Sequence, residues 1–124
     1  MNPIPEMGVD VPQTVAKRHF RGDTEEVYIL KKDYYQRHRI VIEAQTKAQE
    51  QCGVRILDPL PYLCDDEKCY GSQKGKPLYF DDDHLSEYGN KLLKPMFEEV
   101  FHEQRKYSSI LSNSLQMSGE SGEK

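Results

Sequence analysis

The sequence predicts an α/β protein. Three observations carry that reading: an amphipathic pattern over residues 33–52, a glycine at its end (Gly53), and the β-branched run Val54-Arg55-Ile56-Leu57, closed by Asp58-Pro59. Helix, glycine and strand in that order form the return half of a βαβ unit and point to a parallel sheet. The size fits one small domain, with 124 residues of which 36% are hydrophobic. Residues 1–107 hold the patterned sequence, and 108–124 turn polar, with Ser118–Lys124 expected to be disordered.

The elements follow in chain order. Pro3, Pro5 and Pro12 mark residues 1–12 as extended, and Asp10 with Pro12 suits the start of a helix over about 12–20. Gly22-Asp23 marks a turn, and Val27–Leu30 is a short strand or an extended linker. Asp33 reads as an N-cap, with Gln36 completing a capping box. Tyr34, Tyr35, His38, Val41, Ile42 and Ala48 form the apolar stripe of this helix, and Gly53 is its C-cap. Cys52, just before it, reads as a core or boundary thiol. Residues 60–64 suit a helical turn, and 71–77 a hairpin-like excursion between Cys69-Tyr70 and Leu78-Tyr79. Ser86 caps a last helix over about 86–105, with Leu92, Phe97, Val100 and Phe101 on its apolar face and Pro95 as a kink.

Charge and hydropathy exclude several classes. Seventeen basic and 21 acidic residues give a net charge of −4, which disfavours nucleic acid as a partner. No stretch approaches the roughly 20 apolar residues of a membrane span. The first residues lack the basic-then-apolar form of an export signal, so the chain as written is expected in the cytoplasm. Of three cysteines, Cys64 and Cys69 enclose a short polar turn. They read either as a local disulfide, worth roughly 2 kcal/mol for so small a loop, or as two reduced thiols. No cofactor is called for.

The segment with chemistry is Tyr79-Phe80-Asp81-Asp82-Asp83-His84-Leu85-Ser86. A His beside carboxylates can act as a general base when one of them fixes its tautomer. In a tight turn positions i and i+3 approach, so Asp81 is placed to accept from the His84 ring, while Asp82 and Asp83 face solvent or backbone amides. The plainer reading is a charge complement to the following helix. A calcium loop fits poorly, because the carboxylates are contiguous rather than alternating.

Asp81-x-x-His84-Leu85-Ser86 resembles the C-terminal Asp-His block of SGNH (GDSL-like) esterases and acyltransferases. Pro3–Pro12, Ile56-Leu57-Asp58-Pro59, Leu63-Cys64, Cys69 and Gly75–Tyr79 occur with it in order and spacing. Together, over about residues 3–104, they resemble the SGNH domain fused to bacterial membrane acyltransferases that O-acetylate cell-surface polysaccharide. The resemblance implies a flavodoxin-like three-layer α/β/α fold, of which this chain is the C-terminal portion. It implies an extracytoplasmic location for the intact domain, a Cys64–Cys69 disulfide, His84 as base and Asp81 as its orienter. It implies acyl-modified polysaccharide or an acyl carrier as partner.

The sequence departs from the family at one point. Members carry a Ser nucleophile in a Gly-Asp-Ser block, with a later Gly and Asn completing the oxyanion hole. These 124 residues hold no Gly-Asp-Ser; their one Gly-Asp pair, Gly22-Asp23, is followed by Thr24 and reads as a chance match, as does Arg21-Gly22-Asp23. The expectation is a fragment, inactive alone, whose Ser block and membrane acyltransferase come from an upstream chain. A non-enzymatic module pairing with a partner chain is the alternative, and a metal site built from Cys64, Cys69 and the Asp cluster is a third reading.

Overall fold

The computed structural model describes residues 1–122 and divides into two units, Met1–Leu93 and a second beginning at Lys94. The first unit holds four helices and four short strands.

Helix α1 spans Val11–Phe20, with the Asp10 side chain accepting from the Gln13 amide at 2.9 Å. Strand β1 (Tyr28–Leu30) pairs antiparallel with β2 (Lys68–Tyr70), setting Tyr28 opposite Tyr70 and Ile29 opposite Cys69. Helix α2 (Lys31–Cys52) leaves β1 directly, so Asp33 lies in its first turn and is not the N-cap. The cap position is Leu30, whose side chain makes no capping bond. The physical reason is the ladder: the Lys31 amide already donates to the Glu67 carbonyl at 2.7 Å, which satisfies one orphan donor without a capping side chain. Gly53 ends α2 in the left-handed conformation (φ 69°), as its position predicts. Only Tyr34 of the α2 stripe is fully buried; Tyr35 and Val41 are half-exposed, and Cys52 is exposed rather than a core thiol.

Val54–Leu57 corrects the sequence reading. The run forms no strand, and the strands of the described residues make two antiparallel pairs, not a parallel sheet. A strand needs a neighbour to satisfy its amides; here one backbone bond, from the Asn2 amide to the Leu57 carbonyl (2.8 Å), fastens the segment to the N-terminus. Helix α3 (Leu60–Leu63) then leads to β2, and β3 (Ser72–Gln73) and β4 (Lys76–Pro77) form the hairpin. Lys74 and Gly75 make its turn with φ of 52° and 73°, the left-handed pair that matches strand twist.

Helix α4 (Glu87–Leu92) is capped by Ser86, which accepts from the Gly89 amide at 3.1 Å. The last predicted helix is therefore two. α4 stops at Leu92, and α5 (Lys94–Gly122) starts anew with Pro95 in its first turn, where a missing amide costs nothing. Leu92 packs on the first unit's core, and on α5 Phe97 and Phe101 of the predicted apolar face are exposed. α5 runs through residues 108–122, where composition predicts a polar tail; residues 123 and 124 of that tail lie outside the described residues. No helix among the described residues is long and apolar enough to cross a membrane.

The core of the first unit gathers Met7, Val11, Val27, Cys69, Leu78 and Tyr79. Three of these come from the first 27 residues and three from 69–79, so burial binds the chain's start to the strands that lead into the Asp-His loop.

Candidate functional site

The loop after β4 is a closed turn. Tyr79 bridges Leu85, and the Phe80 amide donates to the His84 carbonyl at 2.9 Å. Inside it, Asp81 uses both carboxylate oxygens. Oδ1 accepts from the backbone amides of Asp83 (2.9 Å) and His84 (2.6 Å), an Asx-type turn that fixes the side chain. Oδ2 is then left facing His84 Nδ1 at 2.8 Å.

The loop is held from two sides. The Met7 amide donates to the Asp82 carbonyl at 2.8 Å, and the Val11 amide to that of Asp81 at 3.3 Å. On the other side the Ser86 amide donates to the Leu78 carbonyl at 2.9 Å, and its hydroxyl to Pro77 at 3.1 Å. Gly89 lets α4 approach the Leu78 backbone closely: a Cβ there would lie 2.1 Å from the Leu78 carbonyl oxygen.

Asp83 is not turned only to solvent or amides, as the sequence suggests. Its Oδ1 stands 2.7 Å from the same His84 Nδ1 as an ion-pair contact, beside the hydrogen bond that Nδ1 makes with Asp81. Asp82 is exposed. Phe80, 62% exposed, stacks on the imidazole at 5.4 Å with 18° between the planes. Phe80 and Asp83 lie within four residues of His84, but a turn conformation is needed to bring either side chain onto the ring.

The electrostatics follow from this geometry. The hydrogen bond that the ring gives to Asp81, then the charges of Asp81 and Asp83, hold the His84 imidazole above its ordinary pKa. Loss of solvation pushes the Asp81 carboxyl up, but the His84 and Asp83 amides and the ring bring it below its usual value. Loss of solvation also raises Asp83, and the negative charges of Asp82 and Asp81 act in the same direction against the pull of His84. With Nδ1 turned to the carboxylates, Nε2 is the nitrogen able to take a proton from another group, and the side chain is 65% exposed.

A family model described as the SGNH domain (fused to AT3 domains) matches residues 1–99. The chain belongs to the SGNH domain family. No curated protein and no solved structure matches it. Within this SGNH chain, no serine among those with described bonds is presented to His84. The Ser86 hydroxyl is committed to Pro77 and the Gly89 amide, and the buried Ser72 hydroxyl donates to the Glu26 carboxylate and accepts from the Val27 amide at 2.8 Å. Thr24 is exposed in the loop after α1, with no strand before it.

Cys64 and Cys69 of the SGNH chain are bonded to one another (S–S 2.13 Å), tying the end of α3 to β2. Neither sulfur is a thiolate, which overturns the reading that joins them to the Asp cluster as metal ligands. Asp81, Asp83 and His84 place donor atoms within 4.8 Å of one another, but the carboxylates converge on a ring N–H that a metal would have to displace. Within the disulfide loop, Asp65 accepts from the Tyr70 hydroxyl (2.6 Å) and from the amides of Glu67 (2.9 Å) and Lys68 (2.7 Å). These bonds, that of Tyr70 foremost, lower its pKa to about 2.

Proposed function

We propose that this chain supplies the base and its orienting carboxylate to an SGNH-type O-acyltransferase or esterase acting on cell-surface polysaccharide. The observation that carries the proposal is the Asp81 carboxylate, held by two backbone amides on one oxygen and facing His84 Nδ1 at 2.8 Å with the other. That arrangement fixes the Nδ1–H tautomer and leaves Nε2 as the acceptor.

The chemistry follows. His84 Nε2 takes the proton of a serine hydroxyl as the serine oxygen bonds to the acyl carbonyl carbon. The leaving group of the acyl donor then receives that proton. In the second half, Nε2 takes the proton of a sugar hydroxyl or water, whose oxygen attacks the acyl-serine, and returns it to the serine oxygen as the acyl–serine bond breaks. Beside Phe80, an open groove of about 540 Å³ lined also by Lys76, Tyr88 and Lys91 offers space for the acceptor. The nucleophile belongs to a Gly-Asp-Ser block that is not among these residues, in the flavodoxin-like intact domain, and an upstream chain is the proposed source of both that block and the membrane acyltransferase.

Lacking nucleophile and oxyanion donors, the chain alone has little to catalyse with. The purified chain is expected not to hydrolyse 4-nitrophenyl acetate, and addition of an SGNH-family segment bearing the Gly-Asp-Ser block is expected to produce hydrolysis that His84→Ala removes. Strong hydrolysis by the chain alone that disappears in His84→Ala would overturn the inactive-fragment part. Complemented hydrolysis indifferent to His84→Ala would overturn the assignment of the base.

A further inference from the structure

We propose that Asp83 is a positioning residue of this site, its carboxylate standing against His84 Nδ1 beside the Asp81 hydrogen bond so that the imidazole is clamped between two carboxylates. The inference deepens the reading of His84 as base and rests on it.

The two carboxylates are not equivalent. Asp81 Oδ1 is fastened by two amides, so its Oδ2 has a defined direction and can set the tautomer. Asp83 Oδ1 is as close to Nδ1 (2.7 against 2.8 Å), yet its position is not fixed by amides in this way. Its contribution is therefore mainly a second negative charge that stabilises the imidazolium formed whenever Nε2 takes a proton. The neutral ring of Phe80 stacks on the imidazole at 5.4 Å and bounds one of its faces. The charged groups facing His84 among the described residues are these two aspartates, with Asp82 next to them acting through Asp83. A base with a doubled counter-charge stays protonated to higher pH, so acyl transfer would require more alkaline conditions but pass through a more stable ion pair.

The test uses the full chain labelled with nitrogen-15 and reads imidazole nitrogen shifts across a pH titration, with His84 signals identified by their loss in His84→Gln. Asp83→Asn is expected to lower the His84 titration midpoint while the neutral ring keeps its proton on Nδ1. Asp81→Asn is expected to lower the midpoint and also to mix the two neutral tautomers. Asp82→Asn removes the same charge from the same loop without touching the ring, and is expected to shift the midpoint less than Asp83→Asn. Equal shifts in Asp82→Asn and Asp83→Asn, or none in the latter, would overturn the clamp. The measurement needs no nucleophile. A clamp present in the titration while complemented hydrolysis ignores His84→Ala would overturn the catalytic reading alone; a missing clamp with His84-dependent hydrolysis would overturn the clamp alone.

Discussion

The Tyr79 hydroxyl donates to the Pro5 carbonyl at 2.5 Å, tying a fully buried ring, two residues before Asp81, to a proline near the start of the chain. Burial holds that hydroxyl in its protonated, donating form well above the usual tyrosine pKa. With the Met7 and Val11 amides bonded to Asp82 and Asp81, it makes the first eleven residues part of the site.

Tyr79→Phe removes the donor and leaves the Pro5 carbonyl buried without it. The expected loss of stability is about 1–3 kcal/mol, the cost of an unsatisfied buried acceptor. Urea unfolding of both proteins measures it, and an unchanged midpoint would contradict the role given to this bond.

Gly89→Ala should destabilise although alanine is the better helix former. The added methyl would meet the Leu78 carbonyl oxygen at 2.1 Å, and backbone cannot turn aside as a side chain can. An overpacking cost of about 1–3 kcal/mol is expected to outweigh a propensity gain of about 1 kcal/mol. Thermal unfolding decides the sign.

Replacing Cys64 and Cys69 together by alanine should cost roughly 2 kcal/mol, the entropy of a six-residue loop in the unfolded chain. Cys69 is fully buried, so alanine avoids placing a hydroxyl in the core. Unfolding of wild type with and without a thiol reductant should show the same loss, and the double variant should be insensitive to the reductant.

Asp65 gives a pH signature with a defined sign. Its carboxyl titrates at about 2 folded against 3.8 in the unfolded reference, so folding favours the ionised form. The stabilisation is complete above the unfolded value and disappears as pH falls through the folded one. The stability difference between wild type and Asp65→Asn is therefore expected to narrow as unfolding is measured at successively lower pH across that window. A difference independent of pH there would contradict the Tyr70–Asp65 network.

Much of the site was legible in the sequence because its geometry is local. Asp81 and His84 are three apart, and an i to i+3 approach follows from any tight turn; the caps at Asp10, Ser86 and Gly53 are equally local. What failed was non-local. Val54–Leu57 has strand-like composition, but a strand is a relation between two segments, and no strand pairs with it among the described residues. Asp33 has a good capping side chain, yet the ladder between β1 and β2 delivered the Lys31 amide to Glu67 first. The contact of Asp83 with His84 escaped because residues adjacent in sequence usually diverge; Asp81 curls the backbone enough to bring them together.

The stitching of Met7 and Val11 to the Asp82 and Asp81 carbonyls bears on any attempt to graft this loop. Transplanted alone into another scaffold, residues 79–86 would carry two main-chain oxygens whose donors had been left behind. The exportable module is thus a pair of peptides remote in the gene, and a chimera that exchanges one should exchange both.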